Sequence, residues 1–87
     1  MYKLIIDKKA SKYIDTLDKP TRKRILDALL ELKENPYSAS NVRKLIGYTD
    51  YYRKRVGDYR IIYRIKHNEL IVTILKIDSR GDVYKSY

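Results

Sequence analysis

The sequence predicts an α+β fold in the order β-α-α-β-β-β, with an antiparallel two-helix hairpin on a mainly antiparallel, twisted sheet and a short C-terminal tail. Three observations carry this. Apolar residues recur at helical spacing in two stretches, Ala10-Tyr13-Ile14-Leu17 and Ile25-Ala28-Leu29-Leu32. The run YYRKRVGDYRIIYR, Tyr51 to Arg64, reads as two strands joined at Gly57-Asp58. The run LIVTILKI, Leu70 to Ile77, is apolar on both alternations, as an interior strand covered on both faces would be.

The chain opens on a short β-prone segment, Tyr2 to Ile6, and Asp7 stands where a helix N-cap belongs. Asp18 can cap the second helix, with Pro20 in its first turn. Leu26 and Leu30 are expected to widen its apolar stripe. Asn35-Pro36 ends it, because proline disfavours helical geometry in the residue before it. Between Pro36 and Asp50 the pattern is irregular, and Val42, Leu45 and Ile46 suggest a turn packing back on the body. Lys66 to Glu69 is the last interstrand turn. Residues 1–87 read as one domain, since a chain this short supports one modest core.

A two-residue turn at Gly57-Asp58 fixes the hairpin register. Val56 then faces Tyr59, Arg55 faces Arg60, Arg53 faces Ile62 and Tyr51 faces Arg64. Tyr51, Arg53, Arg55, Arg60, Ile62 and Arg64 share one side, and Tyr52, Lys54, Val56, Tyr59, Ile61 and Tyr63 the other. Arg55 opposite Arg60 is repulsive by a fraction of a kcal/mol to about 1 kcal/mol. A solvated, aggregation-resistant edge would explain such a face. An anion-binding face explains it too, and phosphate fits best, because a planar guanidinium matches phosphate oxygens.

In the final strand, Leu70, Val72 and Ile74 are expected on the helix side with Ile61, Tyr63 and Ile65. Ile71, Thr73, Leu75 and Ile77 are expected beside the arginines, making an apolar floor for a partner or for the tail. Arg80 and Tyr84 follow that strand, so the cluster gains a cation and an aromatic platform.

Composition narrows the function. Twenty Lys and Arg against 11 Asp and Glu give a net charge of +9, which favours a polyanionic partner. There is no cysteine, hence neither disulfide nor thiolate metal site. No apolar run approaches a membrane span and no secretory cleavage site is evident, so the chain reads as cytoplasmic and not membrane-bound. Phosphate-loop, dinucleotide-binding, zinc-protease and serine-triad motifs are absent. The acids are scattered and the lone His67 falls in a turn, so no cofactor or metal is expected. A nuclease built from these residues would stabilise phosphorane-like charge with arginines, an RNA 2′-hydroxyl serving as nucleophile.

The order of elements, the run YRKRVGDYRIIYRI and the ending ILKIDSRGDVY resemble the RelE branch of the RelE/ParE toxin superfamily. The resemblance implies a type II toxin acting on mRNA in the ribosomal A site without metal, by 2′-hydroxyl attack that leaves a 2′,3′-cyclic phosphate and a 5′-hydroxyl. By position it implies that Arg53 and Arg55 are the alternate basic residues of the strand before the turn. Arg60 would stabilise the phosphate, Arg80 would stabilise the transition state or donate the leaving-group proton, and Tyr84 would stack on or orient a base. Its implied partners are a RelB-like antitoxin, the ribosome with A-site mRNA, and operator DNA only through the antitoxin complex. The chain departs from the family pattern in having Arg53 and Arg55 where lysines are familiar. Arginine does not give up its proton, so the resemblance supplies no general base. The alternative is a ParE-type inhibitor of DNA gyrase with no nuclease activity.

Overall fold

The computed structural model describes residues 1–37 and 39–79. Its elements are β1 (Lys3–Ile6), α1 (Lys8–Asp15), α2 (Lys19–Glu34), β2 (Val42–Lys44), β3 (Tyr51–Val56), β4 (Tyr59–Lys66) and β5 (Ile71–Ser79), with a 3₁₀ turn at His67–Glu69 before β5. The five strands form one sheet in the order β1-β5-β4-β3-β2. Only the β1–β5 pair is parallel. Both helices pack on one face of this sheet, leaving the other face to the arginines.

The helices begin as their sequences dictate. Asp7 is the N-cap residue of α1 and Asp18 that of α2, where its carboxylate accepts from the Thr21 N–H at 3.4 Å. The core is Ala10, Ile14, Ile25, Ala28, Leu29 and Leu32 from the helices against Ile61, Tyr63, Ile65, Val72, Ile74 and Ile77 from β4 and β5. Leu26 and Leu30 do not widen the stripe. Each sits one residue past a buried position, about 100° around the helix, and is exposed. Arg22 does not simply face water: its Nη2 donates to the carbonyls of Leu17, at 2.9 Å, and Asp15, at 3.3 Å, and so holds the exit of α1 against the start of α2.

The β3–β4 register is the predicted one at every position. Gly57 takes φ 57°, the positive value that the turn needs. The Arg24 guanidinium lies against it: Nη2 is 2.7 Å from where a Cβ would stand.

Three features differ from expectation. The irregular stretch contains a strand, β2, paired antiparallel with β3, and Ile46 beyond it faces solvent instead of packing back. Leu70 is not in the core; it adopts a left-handed conformation, φ 54°, that closes the 3₁₀ turn, and its side chain is exposed. The register of β4 with β5 jumps from Ile62↔Lys76 to Tyr63↔Ile74. Leu75 is therefore an unpaired bulge residue, and the alternation beyond it inverts. Ile77, expected on the arginine side, turns into the core, and Lys76 takes the outer face in its place.

Candidate functional site

Pairing across the sheet builds two rows on the open face. One runs Arg43–Arg53–Ile62–Lys76 from β2 to β5, and the next runs Arg55–Arg60–Asp78 from β3 to β5. Arg43, Arg53, Arg55 and Arg60 line one cleft of about 480 Å³ with Asn41 and Val42. Three of the five sequence-derived site residues, Arg53, Arg55 and Arg60, are thus brought together. The other two, Arg80 and Tyr84, lie outside the described residues.

Several contacts set the geometry. Arg60 Nη1 donates to the Asp58 carbonyl at 3.2 Å, which ties it to the turn. Asn41, at the cleft's edge, has φ 62° and accepts the Arg55 backbone N–H at 3.1 Å, anchoring the start of β2 to β3. Ile62 is 0% exposed, so it serves as the packed base under the arginines and not as an open apolar floor.

Lys54 lies on β3 between Arg53 and Arg55 but points the other way. It is 3% exposed, and its ammonium donates to Glu31 Oε1 of α2 at 2.8 Å and to the Ser40 carbonyl at 2.6 Å. That ammonium, through its hydrogen bond, holds the Glu31 carboxyl below the usual glutamate range. The pairing of β3 with β4 continues through Lys54 without a bulge, so nothing rotates it toward the cleft. His67 is at the far end of β4, its Nδ1 3.0 Å from the Tyr2 hydroxyl, among the rings of Tyr2 and Tyr37.

Sequence reasoning missed Arg43, Lys76 and Asp78 as members of this face. Arg43 belongs to a three-residue strand too short to show an alternation, and Lys76 and Asp78 depend on the bulge. The triplet Val42-Arg43-Lys44, one β-branched residue followed by two bases, was the one available signal for the first. Among the described residues no three His, Cys, Asp or Glu side chains gather as a metal-ligand set, and no helix is long and apolar enough to cross a membrane. The site is a cationic cleft whose clustered guanidinium groups can bind a phosphodiester and stabilise added negative charge on it.

Known proteins resemble this chain in sequence and in fold. A family model described as the ParE toxin of type II toxin–antitoxin systems, parDE, matches residues 4–84. The RelE1 protein of Methanocaldococcus jannaschii is 29% identical over 83 residues, spanning 93% of this chain and 92% of that protein. The archaeal RelE crystallised with RelB from Pyrococcus horikoshii superposes with a TM-score of 0.82 at 34% identity, covering 93% of this chain and 97% of that one. The isolated RelE toxin of E. coli gives 0.79 at 27% identity, covering 99% and 94%. Matched in sequence and in fold over nearly its whole length, the chain belongs to the RelE/ParE family of type II toxin–antitoxin toxins, on the RelE side of that superfamily.

Proposed function

We propose that this toxin is a ribosome-dependent endoribonuclease that cuts mRNA in the A site without a metal ion and so blocks translation in the cytoplasm. The observation that carries the reading is the convergence of Arg43, Arg53, Arg55 and Arg60 on one cleft of the open sheet face. Four clustered cations suit a scissile phosphate whose charge grows as the neighbouring 2′-hydroxyl attacks it. The products are a 2′,3′-cyclic phosphate and a 5′-hydroxyl. Arg60 and Arg55 stabilise the phosphorane-like oxygens, Arg53 and Arg43 hold the strand, and Arg80 and Tyr84 complete the site as transition-state stabiliser and base platform. Lys76 and Asp78 are the titratable side chains that the strand pairing sets beside the arginines, opposite Ile62 and Arg60. Of the two, the Asp78 carboxylate is the group that can accept the hydroxyl proton. The ribosome supplies the substrate conformation that a cleft without a committed base does not impose.

A RelB-like antitoxin is the partner, acidic to suit the +9 charge and apolar where it meets the half-buried Ile71, Thr73 and Leu75. RelE chains of similar fold have been solved with RelB from Pyrococcus horikoshii and E. coli. Operator DNA is reached only through that complex. The matching family model's ParE description favours a second reading, gyrase inhibition without nuclease activity. Pulsed expression separates the two. The account expects cuts within translated codons and an immediate stop in protein synthesis; DNA damage and arrested replication with intact mRNA would assign the chain to the ParE reading.

A further inference from the structure

Beyond the arginine cleft the same sheet face carries a second group of side chains. Tyr51 lies on β3 two residues before Arg53, so both project from one face with their Cα atoms about 6.5–7 Å apart. Strand pairing sets Arg64 opposite Tyr51, and the guanidinium carbon stands 6.0 Å from the ring centroid. Arg64 Nε is buried and has no hydrogen-bond partner among the described residues. The Tyr48 ring stands 5.8 Å from that of Tyr51, inclined at 51°.

Tyr48 is held in place by its loop. The Leu45 N–H donates to the Tyr51 carbonyl at 2.9 Å, and the Asp50 carbonyl accepts from Ile65 N at 3.0 Å, so the segment 45–50 is closed at both ends. Gly47 and Asp50 take φ of 84° and 64° to make the bend. The ring is nevertheless 40% exposed. The loop backbone is tied to the sheet, and the ring it carries is partly open to solvent.

We infer that Tyr48, Tyr51 and Arg64 form a stacking subsite for an unpaired RNA base. The inference rests on the nuclease reading and names where that substrate's neighbouring nucleotide goes. Aromatic faces and guanidinium planes are the surfaces on which splayed-out bases stack. The order Arg55, Arg53, Tyr51 along β3 places this platform about one nucleotide step from the phosphate-binding arginines. Stacking is tolerant of base identity, so the subsite grips the strand without reading it.

The test measures toxin binding to ribosomes programmed with mRNA that is 2′-O-methylated in the A-site codon and so cannot be cut. Abasic nucleotides replace each base of that codon and its flanks in turn. One abasic position should weaken wild-type binding on the order of tenfold. Tyr48→Ala and Tyr51→Leu should each weaken binding to intact mRNA by a similar factor, with little further loss on the abasic mRNA. Tyr51→Phe should bind normally. Thermal melts of Tyr48→Ala, whose side chain is on an exposed loop, report whether folding is intact. Wild-type affinity in Tyr48→Ala and Tyr51→Leu, or losses that multiply with the abasic substitution, would overturn the subsite alone. Failure of the wild type to bind programmed ribosomes at all would remove the nuclease reading and the subsite with it.

Discussion

Arg53 and Arg55 are separated by Lys54 in sequence and from it by the whole thickness of the sheet in space. That division sets what each can do. The arginines remain charged and face the cleft, while Lys54 joins β3 to α2 through Glu31. Arg55→Ala or Arg60→Ala should therefore lower cleavage on programmed ribosomes by about 10²-fold or more, the scale of removing one preorganised electrostatic stabiliser. His67→Ala, at the opposite end of β4, should leave the rate unchanged. A normal rate in Arg60→Ala, or a large loss in His67→Ala, would each show that the cleft is misassigned. Three of these arginines were legible in the sequence because a two-residue turn fixes register by arithmetic. Arg43 was not, since only its pairing with Arg53 makes Val42–Lys44 a strand.

The elements themselves are tied by a few polar contacts with readable consequences. The Lys54 ammonium depresses the Glu31 carboxyl. A depressed carboxylate contributes stability above the ordinary glutamate range, near pH 4.3, and that contribution is lost as pH falls through its lower folded value. Glu31→Gln should flatten this acid limb of the stability curve. At neutral pH it should cost about 1–2 kcal/mol, the lower part of the range for a charge-assisted bond, because the Glu31 side chain is 42% exposed. Urea melts across pH 3–7 measure both effects. Leu70 offers the opposite sign: an exposed leucine at φ 54° bears a left-handed penalty of about 1 kcal/mol that asparagine largely avoids. Leu70→Asn should accordingly raise the melting temperature by a few degrees.

Leu70 also shows why part of the sheet was hidden from the sequence. LIVTILKI reads as unbroken alternation, yet its first residue belongs to the turn and Leu75 is skipped by the pairing. Neither event leaves a mark in composition, because a leucine fits a strand, a bulge and a left-handed corner equally well in hydropathy. The hairpin was legible because a two-residue turn that opens on glycine is a local signal. The bulge is a property of two strands together, and it decides that Ile77 packs and Lys76 faces the site.

At the scale of the whole molecule, one face of the sheet is closed by helices and the other carries Arg43, Arg53, Arg55, Arg60 and Arg64 of a +9 chain. Binding to programmed ribosomes should weaken steeply with salt as counterions are regained, and Arg43→Ala should reduce the slope of log affinity against log salt by about 1. An unchanged slope would place Arg43 outside the strand path. The central claim is that this face cleaves A-site mRNA through the RNA's own 2′-hydroxyl. It is tested most directly by incubating the purified toxin with programmed ribosomes, mapping the cut by primer extension and identifying the new ends. The account predicts a cut within the A-site codon bearing a 2′,3′-cyclic phosphate and a 5′-hydroxyl, abolished by a 2′-O-methyl group at that nucleotide and absent from naked RNA. Intact A-site mRNA, cutting of the 2′-O-methylated substrate, or equally fast cutting of naked RNA would contradict it.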